Sequence, residues 1–375
     1  MNFQNKPDIT ISNPLGLGGH KTEVILYAHY LVGTVRGKSV NGLLIHSRLF
    51  TVVGIIDKNA AGKDTEKICK GVNHSVPIFN DVASALNKSN PKAIIFLIEP
   101  NISWIIDIKC AAQYGLKLIN TSFLFLKDEV EIMAVINKCC AEYIDLRDVS
   151  HLQAYPNPDI LKRKAKVVLV TGTDCGLGKR TAAYELTKQA RREGINATMY
   201  ATGQTGLMLG EKGTVVDSLI VEFANGIISQ HICNLDNEGY DLIFVEGQSD
   251  IFHPANSAVS LALVHGANPD CLVIVHDNTR KKHKGFQEDS PLYSMHNLKR
   301  YIEVHEMLSL PCGPVYKTVG VATIGEDNIE TLINTKGFNK MAIADVLTDK
   351  GPEILLKAIL DYFETNDLYK PIIYD

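Results

Sequence analysis

Short runs of apolar residues alternate along the chain with segments whose apolar positions recur at helical spacing. In the first half, residues 23–30 (EVILYAHY), 50–58 (FTVVGIIDK), 93–100 (AIIFLIEP) and 117–123 (KLINTSF) read as strands. Between them GKSVNGLLIHS, FNDVASALNKS and WIIDIKCAAQYGL read as helices, the second opened by Asn80 or Asp81 as its cap. Short buried strands separated by helices predict a parallel sheet with helical cover. Residues 143–166 mix charge with two prolines and predict a boundary. The alternation then restarts at 167–172 (VVLVTG) and continues through NATMYATG, 241–247, 271–277 and 319–325 to an amphipathic tail, ILLKAILDYFE. The expected organisation is a polar leader (1–22), a Rossmann-like domain (23–145), a linker (146–166) and a second α/β domain (167–375).

Length and composition fit that division. The chain has 375 residues, enough for two cores, with 45% hydrophobic and 21% charged residues. A net charge of −4 argues against a general nucleic-acid binder. The 8 cysteines form no CxxC pair and read as reduced thiols. The polar N-terminal stretch has no apolar signal core, and no run is long enough to span a membrane. A cytoplasmic homo-oligomer acting on a small molecule, without nucleic-acid or membrane partners, is the expectation. Asp57 ends the second strand, where Rossmann domains place an acid that holds a ribose. The first turn, LVGTVRGKS, lacks G-x-G-x-x-G, so the scaffold reads as Rossmann-like without NAD.

The chemistry concentrates in VTGTDCGLGKRT, residues 170–181, set between a strand and the helical AAYELTKQARREG. Such a turn aims backbone N–H groups and the positive end of a helix dipole at one anionic point. Gly176 and Gly178 allow close approach, and Lys179 adds a full charge. The pattern G-x-x-x-x-G-K-[ST] fails twice: its first glycine falls on Thr173, one residue after Gly172, and its Mg²⁺-binding hydroxyl falls on Arg180. Thr181 is one position late, a rotation of about 100° around the helix. The loop predicts phosphate binding by Gly172, Thr173, Asp174, Gly176, Gly178, Lys179, Arg180 and Thr181, with no residue assigned to a metal. Asp174 is expected to order the loop by accepting backbone N–H bonds.

GTDCGLGK resembles the G-T-D-T-x-V-G-K-T loop of dethiobiotin synthetase and its P-loop relatives. ATGQTG (201–206), VVDSLIVEFANG (215–226), DLIFVEGQSDIFHPANSAVSLALVHG (241–266) and VIVHDNTR (273–280) follow in order. Together they resemble domain-of-unknown-function family 1611, most strongly across 167–285. That resemblance implies an N-terminal Rossmann-like sheet and a C-terminal P-loop NTPase-like α/β domain. The family's characterised branch, D-glutamate N-acetyltransferase, implies acetyl-CoA as co-substrate. Where the family usually reads E-G-Q-G-S-L-x-H-P-A-Y-S-G, this chain has Ser249, Asn256 and Ala258 in place of glycine, tyrosine and glycine, which leaves the acceptor amine open.

Coenzyme A carries a diphosphate and a 3′-phosphate, which a P-loop without a Mg²⁺ hydroxyl can hold. Acetyl transfer to an amine needs a base for the ammonium proton and donors for the oxyanion. Glu246, at a strand end, and His253 are the candidates for acid–base work, with Asp217 a third candidate or only a helix cap. Gln204 and Gln248 are placed to orient a carboxylate or carbonyl. Arg280, Lys281 and Lys282 suit either a dicarboxylate or the coenzyme's 3′-phosphate, and Arg280 is assigned to the substrate. His265 and His276 read as structural. The alternatives are an ATP–Mg²⁺-dependent ligase or kinase of the dethiobiotin synthetase type, and a non-catalytic nucleotide sensor.

Overall fold

The computed structural model describes residues 13–15, 20–34, 36–98, 102–284, 290–310, 313–325, 327–333 and 341–366. Most of the expected leader therefore lies outside the described residues. Two compact units emerge: Ser12–His151 with Gly203–Ser218, and Leu152–Thr202 with Leu219–Asp375.

The first unit begins with β1 (Thr22–Tyr27), α1 (Lys38–His46), β2 (Phe50–Ile56), α2 (Thr65–Ile68), β3 (Ile78–Phe79) and α3 (Val82–Leu86). It continues with β4 (Ala93–Phe96), α4 (Ile102–Gln113), β5 (Lys117–Asn120), α5 (Val130–Cys139) and β6 (Tyr143–Asp145). The strands pair in parallel in the order β3-β2-β1-β4-β5-β6, the arrangement of Rossmann sheets. β1 and β4 are almost wholly apolar because helices cover both faces; Tyr27, Ile94, Phe96, Leu118 and Ile136 build the core between them. Asp81, not Asn80, caps α3 by accepting from Ser84 N at 2.7 Å. The predicted strand 23–30 stops at Tyr27, where the chain turns and Tyr30 adopts φ 64°. Asp57 is buried and accepts from Val32 N (3.0 Å) and Asn59 N (2.9 Å), so its carboxylate ties down the turn after β1.

Two features of this unit escape a reading of local pattern. β6 lies within the stretch read as a boundary, and Leu146 and Arg147 after it are buried. The segment Gly203–Ser218, with α7 (Gln204–Leu209) and the two-residue β9 (Lys212–Gly213), also belongs here. Ser39 and Thr205 share a hydroxyl hydrogen bond of 2.8 Å, and Arg48 pairs with Glu211 at 2.7 Å.

The second unit contains β7 (Lys166–Gly172), α6 (Lys179–Arg192), β8 (Ala197–Ala201), α8 (Val221–Asn237), β10 (Leu242–Glu246), α9 (Ser257–Ala267) and β11 (Cys271–Val275). α10 (Leu298–Met307), β12 (Lys317–Thr323), α11 (Asp327–Ile333), β13 (Ala342–Asp345) and α12 (Gly351–Asn366) complete it. Parallel strands run in the order β13-β12-β11-β7-β10-β8. β7 is thus central, with β10 on one side and β11 on the other. Glu246 pairs in register with Val170 and Val275 with Gly172, so all three strands end at one edge. Ligands of open α/β sheets bind at such an edge. No helix among the described residues is long and apolar enough to cross a membrane.

Three imidazoles lie deep in this unit. His231 hydrogen-bonds Tyr200 Oη (3.0 Å), His276 bonds Thr173 Oγ1 (2.8 Å), and His305 bonds Thr171 Oγ1 (3.0 Å). Burial pushes each from 6.5 down to about 4. The unfolded chain therefore binds protons near pH 6.5 that the folded chain refuses until about pH 4, and stability is lost as pH falls through that window. Asp250, raised by burial to about 6, works in the opposite sense, but as one group against three. Urea midpoints should therefore fall steadily between pH 7 and pH 4.5. A midpoint that holds or rises on acidification would contradict the burial of these rings as neutral groups.

Candidate active site

The glycine-rich turn links β7 to α6. Gly178, at φ 99°, caps α6, and a Cβ there would stand 2.1 Å from Ile324 Cδ1. The backbone conformation demands glycine at that point, whereas the Ile324 side-chain end could move aside. Thr173 N donates to Val275 O at 3.1 Å, which stitches the turn to β11. Lys179 is buried, donates from Nζ to Asp174 O at 2.7 Å, and has its pKa lowered by burial. The ammonium is thus held by a carbonyl of its own loop.

Asp174 is fully buried beside it. One carboxylate oxygen accepts from Arg280 Nη1 (2.7 Å) and Lys284 N (2.8 Å), and the other lies 3.3 Å from His283 Nδ1. Burial alone would raise this carboxyl, but the Arg280 guanidinium and the Cys175 and Lys284 amides outweigh it and hold the pKa down. Arg280 also donates to Cys175 O at 2.6 Å. The residue assigned to substrate is therefore bound to the P-loop itself. Asp174 orders the loop as expected, through side chains as well as amides.

Asp174, His253 and His283 each bring one ligand-type atom within 4.8 Å of the others. All three also take part in hydrogen bonds or ion pairs within the protein. His253 Nδ1 accepts from Ala255 N and Asn256 N (3.2 Å each), and the ring is also engaged by the Lys284 backbone. His283 Nδ1 is 3.3 Å from both Asp174 and Asp250. Lys179 and Arg280 supply positive charge alongside. Burial, then the charge of His283, lowers the pKa of His253.

On the β10 side of the loop, Glu246 is buried at the strand end and accepts from Thr202 N at 3.1 Å, while Thr202 Oγ1 donates to the Glu246 carbonyl at 2.8 Å. Gln248 Nε2 donates to the Thr202 carbonyl, and Ser260 Oγ donates to Gln248 O at 2.7 Å. Gly247 packs so closely that a Cβ would lie 2.2 Å from Val170 O. Arg180, the second residue of α6, feels two opposed effects: burial lowers its pKa and the Glu246 carboxylate raises it. A guanidinium stays charged throughout. Thr181 follows it in the first turn of α6.

Gln204 and Asp217 lie in the segment 203–218. Both belong to the first unit, where they meet Arg147, a residue the sequence reading passed over. Arg147 Nη1 donates to Gln204 Oε1 (3.3 Å), Nη2 lies 3.1 Å from Asp217, and the guanidinium covers the Phe123 ring at 3.8 Å. Asp250, His283 and Thr202 were also missed, since each looks like an ordinary turn residue.

These two α/β units, one with Rossmann strand order and one built around a glycine turn and lysine at a helix head, define a P-loop protein with a Rossmann-like companion. Residues 155–340 match the model described as "Domain of unknown function (DUF1611_C) P-loop domain", and residues 58–149 match the DUF1611_N Rossmann-like domain. The chain belongs to the DUF1611 family. A crystal structure of a DUF1611 family protein from Anabaena variabilis superposes with a TM-score of 0.81 at 26% identity, covering 91% of this chain and 100% of that one. A D-glutamate N-acetyltransferase of Tritonibacter scottomollicae is 34% identical over 212 residues, 56% of this chain and 61% of the relative. A second, from a Pseudoalteromonas species, is 29% identical over 219 residues, 58% of this chain and 64% of the relative. The chain thus covers less than two thirds of either curated relative.

Ser249 stands where the family pattern has glycine, and it adopts φ 54°. Its buried hydroxyl has no hydrogen-bond partner among the described residues. A left-handed non-glycine residue costs about 1–2 kcal/mol, partly offset by the conformational entropy glycine loses on folding. Ser249→Gly should therefore stabilise the protein by about 0.5–1 kcal/mol in denaturant titrations. A clear loss of stability would show that the serine contributes a contact that outweighs its backbone strain.

Proposed function

We propose that the protein is an N-acetyltransferase that moves acetyl from acetyl-CoA to the amine of a small acidic amino acid such as D-glutamate. The observation that carries this reading is Arg180 in the Mg²⁺-hydroxyl position, with its charge attracted to Glu246 at the adjacent strand end. A fixed organic cation there suits a diphosphate held without metal, as in coenzyme A. An ATP-dependent ligase would need Thr181 or Glu246 to replace the Mg²⁺ ligand, because arginine cannot serve as one. The names of the two curated relatives support the acetyl transfer and the acidic amino acid. The described cysteines are free thiols, which fits a cytosolic enzyme.

In this reading Lys179, Arg180 and the backbone amides of 172–181 hold the coenzyme's diphosphate. Glu246, held in place by Thr202, takes a proton from the substrate ammonium. The freed nitrogen lone pair attacks the thioester carbonyl carbon and forms the new C–N bond. The tetrahedral oxyanion collapses, the C–S bond breaks, and the departing thiolate takes up the proton released by the nitrogen. His253 is the second candidate for the base, and the low basicity that burial gives its ring makes it the weaker one.

Glu246→Gln keeps a carbonyl oxygen for Thr202 N but removes the proton acceptor. Turnover should fall by roughly 10²–10⁴ with acetyl-CoA affinity held within a few-fold, and the acidic limb of the pH–rate profile should vanish. His253→Asn should keep that limb. Near-normal turnover in Glu246→Gln with an inactive His253→Asn would transfer the role to His253.

A further inference from the structure

The P-loop has two flanks. Glu246, Thr202 and Gln248 lie on the β10 side, and a cavity of about 490 Å³ opens on the β11 side. That volume lies within the range of about 300–1,000 Å³ common to small-molecule sites. Three cationic side chains line it, Arg280, Lys281 and Lys299, and none of the described lining residues is acidic. Met295, Leu298 and Leu332 add an apolar wall. His276 and Arg280 join the cavity to the loop: His276 bonds Thr173 on one side and Asn278 on the other, and Arg280 bonds Asp174 and Cys175.

The charge placement is unusual for a structural element. α10 starts at the cavity with Leu298, Lys299 and Arg300, and carries no acidic residue in its first turn. Cations at the positive end of a helix dipole are unfavourable unless an anion joins them. Glu303, a turn further on, pairs with Lys299 at 3.8 Å and Arg300 at 3.7 Å, but these exposed contacts offset little of that charge. Local charge that opposes the fold is expected where a ligand restores the balance.

A diphosphate seated on the loop sends its two substituents to different places. If the acyl arm reaches Glu246 on the β10 flank, the other arm is directed to the β11 flank. We propose that this cavity holds the phosphorylated nucleoside end of the acyl-CoA, with the base against Met295, Leu298 and Leu332 and the 3′-phosphate between Lys281 and Lys299. The proposal rests on the acetyl-CoA reading above and assigns these residues to the coenzyme rather than to the acceptor amino acid. Arg280 shapes the loop between the two flanks.

Calorimetric titration of the full-length protein with CoA and with dephospho-CoA, which lacks only the 3′-phosphate, tests this directly. Wild-type protein should bind CoA about 10-fold or more tightly than dephospho-CoA, because a charge-assisted phosphate contact is lost. In Lys281→Ala/Lys299→Ala that preference should collapse towards unity while dephospho-CoA affinity stays within a few-fold. Both lysines are exposed, and circular dichroism checks that the variant is folded. An undiminished preference in the folded variant, or equal binding of the two coenzymes by wild-type protein, overturns the assignment and leaves the acetyl-CoA reading standing. Failure of wild-type protein to bind either coenzyme overturns that reading itself.

Discussion

The candidate site is organised by a buried carboxylate. Asp174 has no exposed surface, yet its pKa is held down because Arg280 and the Cys175 and Lys284 amides surround it. A buried charge without such partners would be strongly destabilising, so the pairing is a constraint on the fold as much as an interaction. It fixes the glycine turn from within and pins the segment after β11 to the P-loop. That anchor sets the position of Arg280, which also lines the neighbouring cavity.

Charge also distinguishes the sequence of this loop from the G-x-x-x-x-G-K-[ST] pattern. Arg180 brings a permanent cation to the place where a hydroxyl would bind metal, and Glu246 faces that cation from the adjacent strand end. Thr202 holds Glu246 through a backbone amide and holds Gln248 through its carbonyl, so three residues from two strand ends form one unit.

The parts of this arrangement that are contiguous in the chain were legible in the sequence. A strand, spaced glycines, a lysine and a helix occur within 170–192, and both parallel sheets follow from alternating apolar runs. Long-range partners were not legible. Asp174 and Arg280 are 106 residues apart, and nothing near either one announces the pairing. The same holds for Asp250 and His283, whose local context is that of turns. Gln204 and Asp217 lie in the segment 203–218 of the first unit, and their meeting with Arg147, 57 residues before Gln204, has no local signal in the sequence. Arg147 was passed over because charge and prolines around it look like a linker, whereas the side chain is buried over the Phe123 ring. Ser249 stood out as a departure from a family pattern, and its positive φ supplies the physical reason a glycine belongs there.

The central claim is that this P-loop holds an acyl-coenzyme through fixed protein charge rather than through a metal ion. The most direct test is calorimetric titration of acetyl-CoA into the full-length chain in EDTA, repeated with excess Mg²⁺, with MgATP titrated in parallel. Acetyl-CoA should bind saturably in EDTA with an affinity that Mg²⁺ leaves unchanged, and MgATP should bind much more weakly. Tight binding of MgATP with none of acetyl-CoA would contradict the claim.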